Sequence, residues 1–279
     1  MKDLVQQRMD RYSRVSMEDE ENALKEVAQE IVLYALYKAD FFTRAAFLGG
    51  TALRILHGLD RFSEDLDFSL FKTDQAFDLV HYLAKTAKIM APFGFNIEVD
   101  ARDGENRAVQ QGMLKDDSIK QVITFKHQHN PRKKIKIKVE VDTTPPPGIT
   151  TEQRYVDFPI DFVVVAGDLA SLFAGKCHAL LCRNYVKGRD WYDFSWFLAR
   201  GIQPNYDLLT NALHQAGPWR DQEFGVDRAW LQQQLAAKID LIDWVTTRND
   251  VARFVGPQRQ ESLNLWSHAF FHSKLARLM

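Results

Sequence analysis

The sequence predicts an α+β protein: an N-terminal part that mixes strands with helices, residues 1–148, and a mostly helical C-terminal part, residues 149–279. Three observations predict it. Asp65–Leu70 and Ile135–Asp142 alternate polar with apolar residues, the period of a strand with one polar face. From Leu169 onward the apolar spacing is almost wholly helical. Between the two regimes stands Pro145-Pro146-Pro147-Gly148, a breaker that suits a domain boundary.

Within the first part, residues 18–40 carry apolar side chains at helical spacing behind an acidic start, Glu18 to Glu21, which suits a helix N-terminus. A short apolar segment, Ala45–Leu48, runs into Gly49-Gly50. Thr51–His57 reads as a short helix stopped by Gly58. Asp60–Glu64 is a polar turn and Asp65–Leu70 a strand. Residues 74–91 read as an amphipathic helix. Strand-like runs follow at Phe95–Ala101, Ile119–His127 and Ile135–Asp142. Past the prolines, Tyr155–Val165 has room for one or two strands. Helices are expected at 168–183, 190–200, 205–215, 227–239, 240–252 and 259–277.

Composition narrows the class. The chain has 279 residues, 46% of them hydrophobic and 26% charged, with a formal net charge of −1, ordinary values for a globular protein. Global charge gives no sign of nucleic-acid binding, so any such sign must be local. Cys177 and Cys182 are expected to be reduced thiols rather than a disulfide or, with His178, a metal site. The N-terminus lacks the apolar core of a signal peptide and no run reaches membrane-spanning length, so a cytoplasmic protein with no membrane partner is expected.

The chemistry concentrates in residues 49–70. Asp65 and Asp67, two apart on a strand, project from one face. Carboxylates held side by side repel unless a cation offsets them, so the pair suits Mg²⁺, or Mn²⁺, completed by water and phosphate oxygens. Leu66 and Phe68 then face the core. Gly49-Gly50 opening a helix lets backbone N–H groups approach a phosphate. On the later strand Lys136, Lys138, Glu140 and Asp142 share a face, and either Glu140 or Asp142 suits a third acid. Each feature alone also fits a solvated strand face or a tight turn.

Together these residues resemble the signature of the DNA polymerase β-type nucleotidyltransferases, and more narrowly the AbiEii/AbiGii toxin family. The pattern Gly-Gly-Thr-Ala-Leu followed by Arg-x-Ser-x-Asp-hydrophobic-Asp is met by Gly49–Leu53, Arg61, Ser63, Asp65 and Asp67. The lysine-rich strand ending in an acid is met by Ile135–Asp142, where the family favours the position of Glu140. A lysine on a helix and an Arg-Asp-x-x-Asp motif opening the next are met by Lys176 and by Arg189, Asp190 and Asp193. The resemblance covers residue 45 to about residue 200.

The resemblance implies a polymerase β-like mixed sheet with flanking helices. It implies metal-dependent transfer of a nucleoside monophosphate from an NTP, within a toxin–antitoxin or abortive-infection (phage-defence) system. Asp65, Asp67 and Glu140 would hold metal. Gly49, Gly50, Thr51, Arg61, Ser63, Lys176 and Arg189 would contact nucleotide. Asp142, Lys176 and Asp190 would join the catalytic set, with the helical part contributing Lys176 and Asp190. The expected partners are an NTP, an RNA acceptor such as the 3′ end of tRNA, and a cognate antitoxin. Transfer to a protein side chain, phosphohydrolysis by the same acids, and a catalytically silent interaction module are the competing readings. Local charge allows RNA: Arg132, Lys133, Lys134, Lys136 and Lys138 form one basic run, and Arg253, Arg259, His268, His272, Lys274 and Arg277 another group. Trp266, Phe270 and Phe271 have the spacing of a core-facing stripe.

Overall fold

The computed structural model describes residues 1–101, 108–116, 118, 124–127, 134–220 and 222–278. They form two compact units. The first comprises Met1–Gly58, Phe62–Pro145 and Gln153–Ala166, and the second Leu59–Arg61, Pro146–Glu152 and Gly167–Met279. The chain leaves the first unit at Pro145 and returns to it before the helical stretch begins.

The first unit contains α1 (Lys2–Met9), α2 (Met17–Lys38), β1 (Ala45–Leu48), α3 (Gly49–His57), β2 (Asp65–Leu70), α4 (Leu79–Met90), β3 (Glu98–Ala101), β4 (Val109–Asp116), β5 (Ile135–Asp142), β6 (Thr151–Val156) and β7 (Phe162–Gly167). The strands form one mixed sheet in the order β3-β4-β5-β2-β1-β7-β6. β2 runs antiparallel to β1 and parallel to β5. Its inner residues Leu66 and Phe68 are buried, as the alternation requires. α2 starts at a capping box in which Ser16 and Asp19 satisfy each other's backbone N–H groups. It is buried on most of its surface, from Ala23 to Leu36, and Tyr34 meets Phe162 edge to face. Phe41, Phe47 and Phe68 close the core beside it.

Two elements carry no clear signal in the sequence. β4 (VQQGMLKD) lacks an apolar alternation, but it is paired on both sides, by β3 and β5. There Gly112 leaves room for Leu83, whose Cδ1 occupies the space a Cβ would need. α1 is short and charged, and is held by burial of Val5 and Met9 and by the ion pair of Arg8 with Glu30. The expected strand at 119–127 falls partly outside the described residues, and residues 124–127 form none. The helix expected at 74–91 starts only at Leu79, because Asp78 caps it through His81 N–H and Asp74 turns the chain before it.

The second unit holds α5 (Leu169–Cys182), α6 (Gly188–Ala199), α7 (Tyr206–Gln215), α8 (Arg228–Asp240), α9 (Trp244–Ala252), α10 (Pro257–Gln260) and α11 (His268–Leu275). The single helix expected at 259–277 is broken. Trp266 is extended and buried, and Ser267 then caps α11 through Phe270 N–H. Aromatic rings make this core: Phe173 stacks on Phe197 at 4.5 Å and Trp244 on Phe271 at 3.9 Å. Cys177 and Cys182 are free thiols, and burial pushes Cys182 up to about 11. Among the described residues no helix is long and apolar enough to cross a membrane.

Candidate active site

The register of the sheet brings the expected acids together in the first unit. Asp65 pairs with Lys138 and Asp67 with Glu140 across the parallel β2–β5 ladder. Paired residues of neighbouring strands share a face, so Asp65, Asp67, Lys138 and Glu140 form one polar patch. Asp142 lies opposite Ser69, further along the strand. Its carboxylate accepts the Thr144 N–H at 2.9 Å, and burial raises its pKa. The register thus sets Glu140, not Asp142, across from Asp67, and gives Asp142 a place in the turn that ends β5.

A lysine occupies the middle of this patch. Lys138 Nζ lies 2.8 Å from Glu140 Oε1. Burial would lower its pKa, but Glu140, with the charges of Asp65 and Asp67, holds it above the ordinary lysine value. Glu140 also accepts a hydrogen bond from Gln111 Nε2. Among the described residues no three His, Cys, Asp or Glu side chains form a close group, Glu140 being engaged by Lys138 and Gln111. The Asp65–Asp67 pair by itself still fits a hard divalent cation. Mg²⁺ needs only one or two carboxylates when water and phosphate supply its other ligands, and the field of this patch already favours a cation at Lys138.

Gly49 fixes where the patch meets helix α3. It has φ +75 and lies against Asp67, whose carboxylate fills the place of its missing side chain. Leu48, the last residue of β1, pairs with Asp67, so α3 opens beside that aspartate. No side chain caps α3, and its first N–H groups carry the partial positive charge of the helix end. Thr51, expected at the nucleotide, is fully buried, and its hydroxyl donates to the Asp65 carbonyl. It ties the first turn of α3 to β2.

Ser63 and the loop before β2 are positioned by a residue the sequence did not single out. Gln29 on α2 is 1% exposed. Its side-chain amide donates to the carbonyls of Ser63 (3.1 Å) and Glu64 (2.8 Å). A polar residue inside an apolar helix stripe was the available signal, since buried amides need partners.

The second unit carries its own charged cluster. Lys176 Nζ lies 3.0 Å from Asp190 Oδ1 and 2.8 Å from Asp193 Oδ2. Burial would lower its pKa, but the two aspartates raise it above the ordinary lysine value. Asp190 also binds Arg183, and these cations keep it below the usual carboxylate range despite burial. Arg61, expected at the nucleotide, is 1% exposed and grips Asp193 with two parallel bonds, Nε–Oδ1 at 2.7 Å and a second of 2.6 Å. Its fork geometry suits this buried pairing. Arg189 lies over the Phe254 ring at 4.2 Å. Of the basic run at 132–138, Arg132 and Lys133 lie outside the described residues, and Lys134 pairs with Glu98.

Comparisons with known proteins give the fold and the family. The chain is similar in structure to the MenT4 nucleotidyltransferase toxin of Mycobacterium tuberculosis, with a TM-score of 0.53 and 20% identity, over 100% of this chain and 99% of that one. It is also similar to JHP933 of Helicobacter pylori, with a TM-score of 0.50 and 15% identity, over 92% of this chain and 88% of that one. At such identities the likeness is one of fold. No curated protein matches the chain by sequence. The profile of the nucleotidyl transferase AbiEii toxins, type IV toxin–antitoxin systems, matches residues 31–270. The chain therefore belongs to the AbiEii family and is a nucleotidyltransferase toxin of the type IV toxin–antitoxin class.

Proposed function

We propose that the carboxylate face of β2 and β5 transfers a nucleoside monophosphate from an NTP to a hydroxyl of an RNA acceptor, the 3′ end of tRNA being the kind of end expected. The observation that carries this reading is the register that sets Asp65 and Asp67 beside Glu140, against a glycine-opened, uncapped helix. Asp65 and Asp67 would hold Mg²⁺, which neutralises the triphosphate and supplies positive charge where pyrophosphate departs.

The chain's own residues do the rest. The N–H groups of Gly49 and Gly50 and the hydroxyl of Ser63 donate to phosphate oxygens. Glu140 takes the proton of the attacking hydroxyl. For that it must leave Lys138 and Gln111, and Lys138 is then free to face a phosphate. The hydroxyl oxygen forms a bond to the α-phosphorus as the bond to pyrophosphate breaks, and rate comes from positioning and charge complementarity. In the second unit Lys176 is proposed to exchange one of its two aspartate partners for a nucleotide phosphate, with Asp190 orienting it. A cognate antitoxin would be the neutralising partner.

The test is to incubate the full chain with Mg²⁺, each α-³²P-labelled ribonucleoside triphosphate and total tRNA, and to run the products on a denaturing gel with and without ribonuclease. Ribonuclease-sensitive label is the expected result. Label that stays on protein after ribonuclease would replace the RNA acceptor with a protein side chain. Free labelled monophosphate formed without any acceptor would indicate hydrolysis by the same acids.

A further inference from the structure

The second unit contains a cavity of 290 Å³ that takes no part in the chemistry described above. Tyr192, Trp196 and Arg200 of the α6 segment line it, with Arg259, Trp266, Phe270 and Lys274 from the C-terminal segments. Its charges are uneven. Asp60 is the acid in the lining, and it is already taken by Arg259 at 2.9 Å and by the Tyr192 hydroxyl at 2.9 Å. Arg200 and Lys274 have no carboxylate partner among the described residues. Burial and the neighbouring Arg277 push the Lys274 pKa down, as expected for a cation short of counter-charge.

The two cations also lie on aromatic rings. Arg200 sits 3.8 Å above the Trp196 ring and is itself exposed, so its outer side faces solvent. Lys274 lies 5.3 Å from the Phe270 ring. Aromatic and guanidinium planes beside cations that lack a carboxylate partner match the chemistry of a single-stranded nucleic acid, where bases stack and phosphates seek positive charge.

We infer that this pocket binds an unpaired nucleotide of the RNA acceptor, with a base against the Arg200–Trp196 stack and Phe270 and a phosphate between Arg200 and Lys274. The inference rests on the RNA reading proposed above and adds where that RNA is gripped. An acidic protein segment would find the cations but leave the ring and guanidinium planes without a stacking partner.

The experiment is fluorescence anisotropy of the full chain with a fluorescein-labelled total tRNA pool over a salt series. The wild type is compared with R200Q/K274Q and with K85Q/K88Q, which removes the same charge from exposed positions on α4. Circular dichroism checks that each variant keeps its helical content. R200Q/K274Q should bind roughly tenfold or more weakly, with its slope of log affinity against log salt reduced by about 0.7, as expected for one lost single-strand phosphate contact. K85Q/K88Q should bind as the wild type does. Equal binding by R200Q/K274Q and the wild type would overturn the pocket, as would an equal loss in both variants; RNA labelling by the wild type would then still support the acceptor reading. A wild type that neither binds nor labels RNA would overturn the acceptor reading and the pocket together.

Discussion

Asp67 lies directly against the Cα of Gly49: a Cβ built there would stand 2.8 Å from Asp67 Cγ and closer still to its carboxylate oxygen. The glycine is required twice over, by this contact and by its φ of +75.

Gly49→Ala should therefore lower stability by about 1–2 kcal/mol from the left-handed backbone alone, and should displace the Asp67 carboxylate. Nucleotide transfer should fall far more than a loss of that size explains. Adding Asp67→Ala should recover part of the stability and none of the transfer. Thermal melts of the two single variants and the double variant check this through their non-additivity.

The Arg61–Asp193 pair calls for a different measurement. Both side chains are almost wholly buried, so removing one partner strands a charge, at a cost of about 3–5 kcal/mol. Asp193→Ala takes a buried carboxylate from both Arg61 and Lys176 and should lie at the severe end. Arg61→Met leaves Asp193 with Lys176 and should cost less. Urea unfolding of the two variants gives the order, and equal losses would contradict it.

Acid should destabilise the first unit through His57. Burial, helped by Arg154, lowers its pKa to about 4 from an ordinary 6.5. Between those values the unfolded chain takes up a proton that the folded chain refuses, so stability falls as pH drops from 6.5 toward 4. His57→Gln should flatten that part of the stability–pH curve while leaving the region above pH 7 with its wild-type slope.

Lys138 gives a test of the cation-seeking face. Its ammonium answers Glu140, Asp65 and Asp67, so on the proposed reading it competes with a metal. Lys138→Met should tighten Mn²⁺ binding in calorimetric titration, by severalfold or more given how strongly one nearby charge acts at partial burial. Weaker binding in that variant would mean that Lys138 organises the acids rather than competing with a cation.

Much of the acid face was legible in the sequence because strand periodicity alone decides it. Asp65 and Asp67 alternate with Leu66 and Phe68, and one polar face follows. That Glu140 rather than Asp142 stands across from Asp67 needed the β2–β5 register, a non-local quantity that no single segment encodes. Thr51 and Arg61 belong to the motif by spacing, and spacing does not disclose the buried bonds they make. Thr51 ties α3 to β2, and Arg61 is enclosed with Asp193, a residue 132 positions away. β4 stayed hidden because its residues are held by pairing on both edges rather than by an apolar alternation. The break before α11 stayed hidden because Ser267 is a weak stop signal until Trp266 is seen to be buried.

If the β2 aspartates carry nucleotidyl transfer, Asp67→Asn should remove it and leave the fold intact. The substitution keeps the shape beside Gly49 and removes one charge. Its transfer from α-³²P-labelled NTP should be followed beside the wild type in single-turnover reactions, together with its melting temperature. The expected result is a folded protein, melting close to the wild type, whose transfer falls by a factor of a thousand or more, about 4 kcal/mol of transition-state stabilisation. A folded Asp67→Asn protein that transfers at the wild-type rate would contradict it.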